Sequence, residues 1–193
     1  AKNRAEAELD KFKSSSLDPR DSKIGRLTAY YKAGGVVSPK SEATKALFDL
    51  DTGKLGQDWA DKLFWSAAFI SYCMEPYKAI GFEPSMAHTV FAKKAYNNRF
   101  TFGSTETPDD GLVMFFKDEG VEPQPGDIVF YLRDSSNNAK SLEDTRGWFE
   151  SNKGNANTHP SHSDIYIGND RCIGGNLSNS VKEVDANKYV AII

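Results

Sequence analysis

Two cysteines, three histidines and the lack of any long apolar run set the first limits on this 193-residue chain. Cys73 and Cys172 stand far apart, with no CxxC and no paired Cys/His spacing, which argues against a structural zinc site. A single pair of cysteines fits two buried thiols better than a disulfide scaffold. No stretch approaches the ~20 apolar residues of a membrane-spanning helix. The opening AKNRAEAELDKFKSSS is too polar for a signal peptide, so any route to the periplasm or the cell exterior has to be sought elsewhere. There is no excess of positive charge either. Lys and Arg number 24 against 27 Asp and Glu, a net charge of −3, and that balance leaves no electrostatic footprint for nucleic acid or an anionic membrane. Repeats and low-complexity linkers are also missing.

What is present reads as globular. A hydrophobic share of 39% with 12% aromatics is enough for one domain with a substantial core. We expect a single domain over 1–193, with residues 1–21 as a helical and loop extension. Apolar residues at helical spacing predict a helix over 22–35, closed by Gly34 and Gly35. A second is expected in KSEATKALFDL with Ser41 as N-cap. The strongest helical stretch is 57–79, apolar almost all round and therefore buried. SMAHTVFAKKAYNN reads as another helix, capped by Ser85. The character then changes to strands: a turn and strand in PQPGDIVFYLR, a polar loop over 134–161, a strand in HSDIYIG, a tight turn at Asn169–Asp170, a strand or strand pair in RCIGGNLSNSVKEV, and a last strand in YVAII. Helices followed by antiparallel strands predict an α+β domain.

Few groups can do chemistry. Ser66 lies in FWSAAFISYCM, where it is either a small residue that lets a buried helix approach its neighbours or a nucleophile at a helix start. Serine needs a base within hydrogen-bond reach and, for acyl transfer, an oxyanion site, which a helix N-terminus supplies. His162 opens a strand with Asp164 two residues on along the same face. The hairpin that follows brings residues near Asn176 opposite His162, so either Asp164 or Asn176 could hold the imidazole. The bland alternative is a surface histidine beside a solvated aspartate. The glycines of GGN mark either a bulge or a close approach to the backbone.

In order and spacing, WSAAFIS, PGDIVFY, SHSDIYIG and GGN resemble the NlpC-type and CHAP amidohydrolases, and most closely an uncharacterised bacterial family carrying W-S-A-A-F-I-S. The resemblance implies a papain-like core, a central buried helix on an antiparallel sheet. It puts Ser66 at the nucleophile position, where the amidohydrolases carry cysteine, His162 at the base position and Asn176 at the polar third position, with Asp164 as its substitute. Asp127 falls on a structural position. Trp65, His88 and Gly175 are assigned to the substrate side. The implied reaction is hydrolysis of an amide bond, on cell-wall peptidoglycan or another peptide, without metal or organic cofactor. The setting would be that of an antibacterial effector, checked by an immunity protein, or of a phage-associated lysin. Serine for cysteine leaves three readings: a serine hydrolase, an inactive module that binds through the same groove, or a serine introduced in place of cysteine.

Overall fold

The computed structural model describes residues 1–13, 23–35, 64–100, 111–178 and 180–193. The helix expected around Ser41 lies outside them. Among the described residues five α-helices are seen, α1 (Lys2–Lys13), α2 (Lys23–Ala33), α3 (Ser66–Cys73), α4 (His88–Asn98) and α5 (Leu142–Asn152), with short 3-10 turns at Glu75–Ile80 and Lys117–Glu119. Six strands are β1 (Phe115–Phe116), β2 (Ile128–Leu132), β3 (Ser161–Gly168), β4 (Arg171–Gly174), β5 (Lys182–Asp185) and β6 (Ala191–Ile192). They form one sheet, ordered β1-β6-β2-β3-β4-β5, in which every pairing is antiparallel. The domain is therefore α+β, with its strands after most of its helices.

Turn chemistry fixes the central strands. Gly126 takes φ 114°, which glycine alone adopts cheaply. Asp127 closes the turn before β2 by accepting the Gln124 amide at 2.7 Å, so its place in PGD is structural. Asn169 and Asp170 both take positive φ, 53° and 56°, the geometry of a two-residue type I′ hairpin between β3 and β4. Alternation along the strands then separates two apolar groups. Ile128, Phe130, Ile165 and Ile173 join the main core with α3, whereas Val129, Tyr166 and Cys172 form a smaller cluster.

Three expectations need correction. Of the expected extension, the described residues 1–13 are not peripheral, because α1 packs into the core: Ala5 and Leu9 are buried, and Phe12 stacks on Trp65 at 6.0 Å. Buried Glu8 on α1 accepts from Arg26 Nε at 2.6 Å and from the Tyr30 hydroxyl at 2.5 Å, tying α1 to α2. The polar stretch 134–161 contains a full helix, α5. Ser141 caps it by accepting the Asp144 amide at 3.0 Å, and its buried Phe149 stacks on Tyr96 at 5.1 Å. The chain after α5 is held by Lys93, whose ammonium donates to the carbonyls of Asn155 (2.7 Å) and Asn157 (2.5 Å). Finally, Ser85 does not cap α4. Ala87 occupies that position, and the Ser85 hydroxyl accepts the Ala87 amide ahead of it.

Candidate functional site

The helix that carries Ser66 is shorter than its apolar sequence suggests. It begins at Ser66 itself, with Trp65 as the N-cap residue and no side-chain cap. The first intrahelical bond runs from the Phe69 amide to the Trp65 carbonyl, 2.9 Å. The amides of Ser66, Ala67 and Ala68 therefore have no acceptor within the helix, and the positive end of its dipole lies at the serine. Ser66 is half-buried, at the start of a helix whose next five residues are all buried.

Its partner is a histidine, but not the one expected. Ser66 Oγ lies 2.7 Å from Nε2 of His88, the first residue of α4. His88 had been assigned to the substrate side; the structure puts it in direct contact with the hydroxyl, where the base was expected to be His162. This contact has an identifiable support. Ser71, buried on α3, donates its hydroxyl to the Ser85 carbonyl at 2.9 Å and accepts the Ser85 amide at 3.0 Å. That double bond holds the chain three residues before His88 against the helix that carries Ser66.

His162 is the next shell of the same cluster. Its ring lies 5.4 Å from that of His88, edge to face, and 5.7 Å from the ring of its cross-strand neighbour Tyr131. Asp164 Oδ1 is 2.9 Å from His162 Nε2. The distance is that of an ion pair, but the angle is not that of a hydrogen bond, and both atoms are buried without another partner. Asp164 thus stands where a partner for the imidazole was expected. Asn176 lies beyond the end of β4 with φ 60°, so the ladder that was to bring it opposite His162 has already ended.

The two glycines explain part of this geometry. A side chain at Gly175 would meet Phe69 Cβ at 2.5 Å, so that glycine lets α3 lie directly on the chain after β4. A side chain at Gly174 would run into the Asp164 carboxylate. Gly175 is therefore a packing position rather than a substrate contact. Trp65 is likewise not open to substrate: it is fully buried and stacks on Tyr30 at 5.8 Å. The exposed aromatic beside Ser66 is Phe64, at 87%.

Burial, the neighbouring His162 and the Arg133 charge together push the His88 pKa well below its ordinary value. His88 is therefore neutral at physiological pH, the form in which Nε2 can accept the serine proton. Its Nδ1 is buried with no partner. Among the described residues there is no group of three or more His, Cys, Asp or Glu able to hold a metal ion, and no helix is long and apolar enough to cross a membrane. The arrangement can activate a hydroxyl and stabilise an oxyanion; its two imidazoles can move protons between them and a substrate.

Sequence reasoning passed over Arg133, which follows β2, and Ser71. The second serine of WSAAFIS, five residues after the first, was the available signal for Ser71. No curated protein and no solved structure matches the chain. One family model does, over residues 25–188 and so across the Ser66–His88 pair and strands β1 to β5: the chain belongs to the bacterial family described as "Uncharacterized protein conserved in bacteria (DUF2272)".

Proposed function

We propose that this protein is an amide-bond hydrolase that works through an acyl-serine on a papain-like frame. The observation that carries the reading is the 2.7 Å contact between Ser66 Oγ and His88 Nε2 at the first turn of α3. In the proposed reaction Ser66 attacks the substrate carbonyl and its proton passes to His88 Nε2. The oxyanion is met by the free amides at the helix start. Collapse of the tetrahedral intermediate expels the amine, which must take up a proton as it leaves. His162, backed by Asp164, takes that proton over from His88 through the adjoining imidazoles and gives it to the departing amine. Water then attacks the acyl-serine, giving a proton to His88, and His88 returns it to Ser66 as the acid is released.

The substrate we propose is a peptide linkage of bacterial cell-wall peptidoglycan, a choice supported by the likeness to NlpC-type and CHAP enzymes. A second reading, a module that binds through the same groove without turnover, is favoured by the partnerless Nδ1 of His88. The test is digestion of purified peptidoglycan followed by mass spectrometry, with fluorophosphonate labelling of the same samples. The expected result is new amide-cleavage fragments and a label on Ser66, both lost in Ser66→Ala. Labelling without fragments would overturn the substrate and keep the serine hydrolase. Neither labelling nor fragments from the folded protein would favour the binding module.

A further inference from the structure

Arginine is an expensive side chain to leave half-buried without an anion, because its donors give up water for nothing in return. This chain avoids that cost at its other described arginines. Arg4 holds Glu75, Arg26 holds Glu8, Arg99 holds Glu119, Arg146 holds Asp118, and Arg171 holds both Glu183 and Asp185. Arg133 is the exception. Among the described residues no carboxylate pairs with it. Its Nε is buried and unpartnered, and its one side-chain hydrogen bond is a long one, 3.5 Å from Nη2 to the Tyr131 hydroxyl.

Its backbone is nevertheless held firmly. The Arg133 amide donates to the Pro160 carbonyl at 2.8 Å, and the residue bridges to Ala139. The guanidinium lies 5.6 Å from the Tyr131 ring, and that ring is 5.7 Å from His162. Its charge is also felt at His88. A fixed cation without an anion therefore stands on the edge of the Ser66–His88–His162 cluster.

We propose that Arg133 is a specificity residue that binds a carboxylate of the substrate, so that the site takes peptides bearing a free carboxylate near the bond to be cut. The inference rests on the reading of the cluster as a peptide-hydrolysing site. A planar guanidinium accepts a carboxylate through two parallel hydrogen bonds. The carboxylate comes either from a peptide C-terminus or from an acidic side chain, and both present the same group to Arg133.

Binding tests this without turnover. N-acetyl-dialanine, its C-terminal amide and N-acetyl-glutamic acid α-amide, whose γ-carboxylate is free, would be titrated by calorimetry into the natural protein and Ser66→Ala, each with and without Arg133→Met or Arg133→Lys. The expected result is that one of the two carboxylate probes binds about tenfold or more tightly than the neutral amide. Which of the two does so names the source of the carboxylate. That preference disappears in Arg133→Met and partly returns in Arg133→Lys. Equal binding of acid and amide, no binding of any probe to folded protein, or a preference that survives Arg133→Met would overturn the proposal. So would a changed pH profile of Ser66 labelling in Arg133→Met with no acid–amide difference, since that would limit the arginine to tuning His88. Because Ser66→Ala is among the hosts, loss of the hydrolase reading and loss of this one give different results.

Discussion

His88→Ala abolishes acylation of Ser66 by p-nitrophenyl acetate and by an amide substrate alike, whereas His162→Ala spares acylation by the ester alone: that is the expected outcome when both variants are given both substrates. The hydroxyl touches His88, so removing that imidazole takes away the acceptor that stands within hydrogen-bond distance among the described residues. General-base loss of this kind costs about 10²–10⁴-fold, and it should appear with ester and amide alike. His162 is one ring further out, beside Asp164. Nitrophenolate leaves without a proton, so the ester burst should persist in His162→Ala, but an amine cannot leave unprotonated and amide cleavage should fall by a comparable factor. Stopped-flow bursts and single-turnover amide assays separate the two. Equal loss on both substrates in His162→Ala, with His88→Ala near natural activity, would restore His162 as the base. The pH profile carries the same assignment. Since the folded pKa of His88 is lowered, the neutral base persists below the ordinary imidazole range, and kcat/KM should hold on the acid side until pH falls through that lowered value.

The largest effect on stability is expected from Arg26→Met. Arg26 and Glu8 are 6% and 1% exposed, and their pairing joins α1 to α2. Removing one partner leaves a buried carboxylate whose remaining support is the Tyr30 hydroxyl and, at 3.7 Å, the Lys11 ammonium. Breaking a buried pair in this way costs about 3–5 kcal/mol. Urea unfolding should show that loss in the midpoint, with little change of slope. Glu8→Leu combined with Arg26→Met should recover most of it, because the pair as a whole offsets a large desolvation cost. If Arg26→Met unfolds at the natural midpoint, the pair is not the link between α1 and the core.

The strands were legible because their signals are local. Alternation in HSDIYIG, the Asn169–Asp170 turn and the Pro-Gly-Asp start of β2 each act within a few residues, and each forms as read. Helix limits were less so. Nothing in DKLF marks a cap, and none is used: α3 starts at Ser66 without a side-chain bond. Helix α5 carried its own signature, Ser141 followed by Glu143 and Asp144, but a polar surface hid it, since Thr145 and Phe149 are its only fully buried residues. The site failed to declare itself for a different reason. Which histidine meets Ser66 is decided by how α4 enters beside α3, and the Ser71–Ser85 bonds that decide it join residues 14 apart. Trp65, next to Ser66 in sequence, is turned inward by Phe12 and Tyr30, rings from two helices that no pattern around residue 65 reveals.

Both cysteines are free and buried. Burial raises the Cys73 thiol pKa and pushes that of Cys172 up to about 12. Neither offers an appreciable thiolate near neutral pH. The native chain is therefore a silent background for alkylating reagents. Ser66→Cys would introduce a half-exposed sulfur at the helix start beside His88, and iodoacetamide should attach one equivalent to that variant and almost none to the natural protein. Intact-mass measurement of that stoichiometry counts competent sites molecule by molecule, with no substrate required, and gives a direct titration of how many copies in a preparation are correctly folded around residue 66.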